Sequence, residues 1–467
     1  MPSDLSSQQP LEHIPRADRV KSVLIVLMLL LVASWGMILS GNLSGRGAAD
    51  DLNYHWIAIE QFAAELPSPD LSDYASATTP GYHLILAPFA KVGIGHTGIQ
   101  LIASLWSFGL LGVLAWITAG RFGKGAIVLM LPMLVSMYVL YPAIWLLPDN
   151  AAWLGVLIIL LLALKPEPSP KTWALAGVVL FGLVWMRQIH IWIAGVIWLS
   201  AWLGSADQTP TLTRCCSSIV DRVGRSLVAL GCTIPAFAAL AWFVLLWGGL
   251  VPPTFQDNHQ GPNPITPAFI LTQLAILSVF FGPMLWARLK ELWKYQSAWV
   301  LFAAIAGFAL GIIPASSYNY DAGRYGGWWN IIGNFPTIAD RSPIIILGAV
   351  AGALALVAWL SLVSRRDVWI WIGALVGFTL AQSANHTSWQ RYHEPMLLIM
   401  IVLILARSSS IKAYTRSIML GSITLAAMLG VLTLIFTLNA KPVEIQNQPT
   451  AEHTILPDLG VVTDPQP

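Results

Sequence analysis

The sequence predicts an all-α fold, a polytopic transmembrane helical protein with about thirteen spans. Three observations predict it. The 467 residues are 56% hydrophobic and only 10% charged, with a mean hydropathy of +0.68, against about 25% charged in a soluble globular protein. Apolar runs of membrane-crossing composition recur along the whole chain, and no polar stretch is long enough to form a soluble domain. The cations favour alternate loops, as the positive-inside bias of a multi-pass protein requires.

In order, Arg16, Arg19 and Lys21 flank the first apolar run, which reads as a retained signal anchor. Candidate spans lie near 20–41, 97–119, 125–143, 151–164, 172–186, 189–205, 226–250, 266–287, 297–316, 343–363, 367–384, 395–408 and 416–438. The apolar segment 80–92 carries Pro80, Gly81 and Pro88 and reads as a re-entrant or interfacial helix. With the N-terminus cytoplasmic, 18 of the 25 lysines and arginines fall on the cytoplasmic side. The domains are then a cytoplasmic segment 1–19, a membrane domain 20–438 and an external polar tail 439–467. The three cysteines, Cys215, Cys216 and Cys232, imply no disulfide framework. The net charge of +2 gives no argument for a nucleic-acid partner.

The acids fall opposite the cations, which puts any chemistry on the external face. Asp50 and Asp51 follow the first span and open an amphipathic segment. Tyr54, Ile57, Ala58, Phe62 and Leu66 recur there at helical spacing, predicting a helix on the bilayer surface. A helix cap would account for one of the two acids but not both. Asp149, in Pro148-Asp149-Asn150, reads as the N-cap of the fourth span. Arg187, Gln188 and His190 interrupt an apolar run at membrane depth, where a cation usually has an anionic partner or a function. Asp257 and His259 lie in a Pro- and Gly-rich external loop. Arg324 and Tyr325 stand in an aromatic and glycine loop, and Arg391 in a second polar loop, 385–394. Three arginines beside a carboxylate pair suit a phosphate-bearing ligand, because the guanidinium fork matches phosphate oxygens. No HExxH, CxxC, Walker loop or nucleotide-binding glycine fingerprint occurs.

These motifs resemble, in order and from about Asp50 to Leu405, the dolichyl-phosphate-glucose α-1,2-glucosyltransferase family, multispanning enzymes of the GT-C class. The family's Asp-Glu-x-Phe-His is similar to Asp51-Leu52-Asn53-Tyr54-His55, and its Thr-Thr-x-Pro-Gly-x-Tyr to Thr78-Thr79-Pro80-Gly81-Tyr82. Its Tyr-Thr-Asp turn corresponds to Leu147-Pro148-Asp149, and its Phe-Arg-Gln-Thr-Asn to Met186-Arg187-Gln188-Ile189-His190. Its Asn-Arg-His-Tyr is reduced to Gly323-Arg324-Tyr325, and its late Arg-Tyr corresponds to Arg391-Tyr392. Its glutamate is replaced by Leu52, which marks a divergent relative.

The resemblance implies hexose transfer from a polyprenyl-phosphate sugar to a glycan or glycolipid hydroxyl, on the periplasmic or lumenal face. Asp51 would be the general base, with Asp50 beside it. Arg187, Arg324 and Arg391 would hold the donor phosphate, and His55, Asp149, Gln188, His190, Asp257, His259 and Tyr325 would line the site. A divalent Mg or Mn ion could bridge an acid to the phosphate, but nothing in the sequence requires one. The rival reading is a transporter or flippase that uses the same arginines for a lipid-linked or anionic solute. Matched repeats would favour it, and the chain has none. A structural membrane subunit would not need acids and arginines concentrated on one face.

Overall fold

The computed structural model describes residues 14–205, 215–258, 261–316, 327–408 and 414–443. Regular structure among them is helical, with two isolated β-bridges. The chain opens with α1 (Arg16–Leu39) and then α2 (Gly45–Asp50), which continues through a π-helical turn, Asp51–His55, into α3 (Trp56–Glu65). There follow α4 (Gly81–Lys91), α5 (His96–Phe122), α6 (Gly125–Val135) and α7 (Met137–Leu140). Next come α8 (Asp149–Ala163), α9 (Pro170–Met186), α10 (Ala194–Leu203) and α11 (Cys215–Trp247). The second half holds α12 (Thr266–Ser278), α13 (Gly282–Ile312), α14 (Trp328–Ile332), α15 (Pro343–Leu360), α16 (Arg365–Ser383), α17 (Gln390–Arg407) and α18 (Thr415–Leu438).

The fold class agrees with a multi-pass helical membrane protein, but the expected thirteen spans do not stand. Among the described residues six helices are long and apolar enough to cross a membrane, or seven if the pair α6–α7, bent by 82° at Ser136, is one span. The excess has identifiable causes. The runs 151–164 and 172–186 form helices of 15 and 17 residues, and 189–205 is split between a 3-10 turn and a ten-residue helix. A perpendicular crossing needs about 20 residues. The runs 367–384 and 395–408 lie in helices that carry Arg366, Asp367, Arg391, Glu394 and Arg407. The runs 266–287 and 297–316 share one nearly continuous helical stretch, Thr266–Ile312, which is counted once among the six.

That stretch of 47 residues would be about 70 Å long if straight, more than twice the hydrocarbon core. It doubles back instead. Along α15, Thr272 meets Gly348 and Ser278 hydrogen-bonds Trp359, so α12 runs parallel to it. Gly307 meets Ala349 and Gly311 meets Ile346, so the second half of α13 runs antiparallel. Small residues spaced by four let these backbones touch, which is how helices associate where lipid removes the hydrophobic drive. A β-carbon on Gly352 would run into the backbone carbonyl of Leu271, whereas one on Gly348 would press on the Thr272 side chain, which can rotate. Gly352→Ala should therefore cost about 1–3 kcal/mol of stability, and Gly348→Ala less. Denaturation midpoints of the two variants in detergent check this, and equal midpoints would contradict the packing.

Basic residues gather at one end of the bundle and close helix C-termini there. Arg366 donates to the carbonyls of Gly204 and Ala163 (2.7 and 2.9 Å), and Arg407 to Leu164 and the Asp367 carboxylate (2.8 and 2.9 Å). Arg121 donates to the Ser408 carbonyl at 2.7 Å and Ser22 to the Gly123 carbonyl at 3.1 Å. Cations at helix C-termini satisfy the last free carbonyls and oppose the negative end of the dipole. The chain leaves at the other end. Residues 440–443 pair with 43–45 through Gly45 N–H to Lys441 O (2.9 Å) and Val443 N–H to Leu43 O (3.0 Å). The start of the tail is thus fastened to the segment that leads into α2. Residues 444–467 lie outside the described residues.

Candidate functional site

Asp50 and Asp51 lie within a helix, not at its start, and neither side chain caps it. The π turn that follows puts one extra residue into the coil, a device that is rare and concentrated at functional sites. Successive side chains on a helix do not face the same way, and the two adjacent carboxylates meet different neighbours. Asp51 is fully buried. It accepts from His96 Nε2 and Gln100 Nε2, both at 2.9 Å and one helical turn apart on α5, and from the Leu146 backbone N–H at 3.2 Å. It ties α2, the start of α5 and the loop before α8 together.

Asp50 faces the other way and pairs with Arg391 at 2.6 Å. The other guanidinium nitrogen of Arg391 meets Asp149 at 2.7 Å, and the second Asp149 oxygen pairs with Arg187. Asp50, Arg391, Asp149 and Arg187 thus form one alternating chain of two acids and two cations. The expected N-cap role of Asp149 is not observed: Pro148 holds the cap position of α8 and Asp149 is spent on the two arginines. Arg187 also lies over the Tyr392 ring (4.9 Å), which stacks on Trp389 (5.8 Å), and Arg46 covers the outer face of Trp389 (4.3 Å). Two rings are therefore clamped between two cations, a favourable arrangement for each guanidinium.

Local structure explains these placements. The helix α9 ends where Arg187 turns extended. Thr79 closes this end by donating its hydroxyl to the Val184 carbonyl (2.6 Å), and Gln188 grips the 77–79 loop through Thr79 N–H and the Ala77 carbonyl, both at 3.0 Å. Gly81 allows α4 to start against α9, since a β-carbon there would lie 2.6 Å from the Trp185 carbonyl oxygen. The helix α4 then delivers Tyr82 and His83. His83 Nε2 lies 2.9 Å from His55 Nδ1, with the rings nearly parallel. Part of the apolar stripe expected on the bilayer is turned inward: Ala58 and Phe62 are buried with Tyr74, Ala87 and Phe243, while Tyr54 stays exposed.

Burial, and then the Arg391 charge, push the His55 imidazole down to about 3, and burial beside His55 holds His83 well below the usual range. Both rings are neutral at physiological pH. Tyr82 is buried with its hydroxyl unpaired among the described residues, and burial with the Asp51 and Asp149 charges raises it. Because His55 takes a proton in the unfolded chain below about 6.5 but in the fold only near 3, stability should fall as the pH drops through that window. The expected slope is roughly 1.4 kcal/mol per pH unit. Melting curves from pH 7.5 downward should show a shallower slope for His55→Gln, and an identical slope would remove His55 from this role.

Of the other expected site residues, His190 is buried against Trp153 (5.0 Å) and Gln188 serves the loop, so both build the wall. Asp257 is exposed in the turn Pro253–Asn258. His259, Arg324 and Tyr325 lie outside the described residues. Among the described residues no group of three or more His, Cys, Asp or Glu side chains is placed to hold a metal ion. Sequence reasoning missed Arg46, Tyr82, His83, His96 and Gln100. Arg46 had a signal, as one of the few cations on the acid-rich side, and Tyr82 and His83 fall in the Thr-Thr-Pro-Gly motif. In comparisons with known proteins, no family model, no curated protein and no solved structure matches this chain.

Proposed function

We propose that this protein is a membrane glycosyltransferase that moves a hexose from a polyprenyl-phosphate sugar to a hydroxyl of a glycan or glycolipid. The observation that carries the reading is the ion-pair chain Asp50–Arg391–Asp149–Arg187, closed around the buried Asp149 at the end of the bundle opposite the basic caps. Two arginines one carboxylate apart suit a phosphate, which each can hold through its planar fork. An acid paired to one of them is a base in waiting. The site end would face the periplasm or lumen, with the basic end cytoplasmic. An impermeant thiol reagent reaching a cysteine at position 330 but not one at 220 supports that orientation, and the reverse overturns it.

In this reading the base is Asp50 rather than Asp51. Both Asp51 oxygens are taken by three donors and none of its surface is open. Asp50 is held by one guanidinium and is partly exposed. Donor phosphate arriving at Arg187 and Arg391 competes with the carboxylates and frees Asp50. The acceptor oxygen then attacks the anomeric carbon while Asp50 takes its proton. The anomeric C–O bond to phosphate breaks, and its electron pair leaves on a phosphate oxygen stabilised by the arginines. Direct attack inverts the anomeric centre. Neutral His55 offers a hydrogen bond without adding charge.

The deciding experiment is sugar transfer by the purified protein, offered a panel of polyprenyl-phosphate sugars and glycolipid acceptors. Donor-dependent transfer supports the reading. Movement of the intact lipid-linked sugar across a sealed vesicle, without transfer, would favour the transporter reading instead.

A further inference from the structure

The turn of the α12–α13 hairpin has a surface that the proposed chemistry does not use. Residues 282–295 stay helical across the turn, at the end of the bundle where the arginine caps gather. Their inner face, Met284 and Leu285, is buried and Leu289 packs on the core. Their outer face carries Trp286, Lys290 and Trp293 at one-turn spacing, with Lys294 beside them; Trp286 and Trp293 are 63% and 55% exposed. Tyr295 and Trp299 follow at 65% and 58%, and the Lys294 ammonium lies over the Tyr295 ring at 5.0 Å. Glu291, the one acid of the stretch, pairs with Arg288 within the helix at 2.8 Å.

A second observation marks the depth of this surface. The backbone breaks from helical geometry at Gln296, and beyond it the outward residues Leu301, Phe302, Ile305 and Phe308 are apolar and exposed. The break falls where an aromatic and cationic face gives way to a purely apolar one. That boundary is the membrane–water interface, where indole and phenol rings settle and lysines reach headgroup phosphates.

We propose that the outward stripe Trp286, Lys290, Trp293, Lys294 and Tyr295 is a binding site for anionic phospholipid headgroups. The two ammonium groups take the phosphodiester charge, and the rings seat at the glycerol level and fix the helix in the plane of the bilayer. This inference depends on the chain crossing the membrane and not on its enzymatic reading.

The test uses the full-length protein in lipid nanodiscs made of phosphatidylcholine with and without phosphatidylglycerol. Retention of phosphatidylglycerol over phosphatidylcholine is read by mass spectrometry of the lipids that stay bound. A lysine near an anionic surface is worth about a five-fold factor, so Lys290→Gln with Lys294→Gln should lower the preference on the order of twenty-fold at an unchanged melting temperature. Lys165→Gln with Lys171→Gln, a control pair where α8 passes into α9, should leave it intact. Indole quenching by headgroup-proximal brominated lipid, taken as wild type minus Trp286→Phe/Trp293→Phe, should be strong. Full preference in the Lys290/Lys294 variant, an equal loss in the control pair, or quenching of these indoles from water alone would overturn the assignment, the last pointing to a protein partner on this face.

Discussion

Asp149→Asn is expected to destabilise the protein by about 3–5 kcal/mol, the range for removing one partner of a buried ion pair. The substitution keeps the size of the side chain and removes only its charge. Arg391 would retain Asp50, but Arg187 would lose its one carboxylate partner among the described residues while remaining mostly covered. An amide cannot compensate a buried guanidinium, and the freed cation would draw water or a misplaced acid into the site. The loss should exceed that from Arg391→Lys, which keeps a charge and forfeits the fork that joins Asp50 to Asp149. A double variant, Asp149→Asn with Arg187→Gln, should recover part of the lost stability because no unpaired charge remains. The check is the denaturation midpoint of each variant in detergent. If Asp149→Asn melts with the parent protein, Asp149 is only the first residue of α8, and the charge chain has no hold on the fold.

Much of the architecture is legible in the sequence. Apolar runs and alternating cations identify a multi-pass helical membrane protein, and the structure ties together Arg121 with Ser408, Arg366 with Ala163 and Gly204, and Arg407 with Leu164. These are loops that the charge alternation had placed on one side. The number of spans was not legible, because hydropathy reports composition and not the length of an unbroken helix. The helices α8 and α9 are as apolar as a span yet short, and Ser136 breaks a run whose composition is unremarkable. At the site, the sequence pointed to the right stretches but not to the partners. Arg391 lies 341 residues from Asp50 and 242 from Asp149, and no local pattern carries that information. Asp149 looked like a helix cap because caps and ion-pair acids share the same position before a helix. The difference between Asp50 and Asp51 lies in their partners, His96, Gln100 and Leu146 for one and Arg391 for the other, which are remote in the chain.

That difference is the centre of the account. Asp51 has the spacing to His55 that the resembled family uses, so resemblance makes it the base. Its surroundings make it an anchor, because a carboxylate with three donors and no access to solvent has no path to an acceptor hydroxyl. Asp51→Asn should therefore act mainly on stability. It turns an acceptor toward His96, Gln100 and Leu146 into a group that can accept on only one side, and a buried donor left unpaired costs about 1–3 kcal/mol. Asp50→Asn should act mainly on rate. It should fold, insert and melt near the parent protein, since Arg391 keeps Asp149, while losing at least about a hundredfold in activity, the lower range for a missing general base. The direct measurement is sugar transfer in proteoliposomes by the two variants, with a melting curve for each. The account predicts a stable, inactive Asp50→Asn and a less stable Asp51→Asn that retains transfer per folded molecule. A stable, inactive Asp51→Asn beside a fully active Asp50→Asn would contradict it and return the base to Asp51.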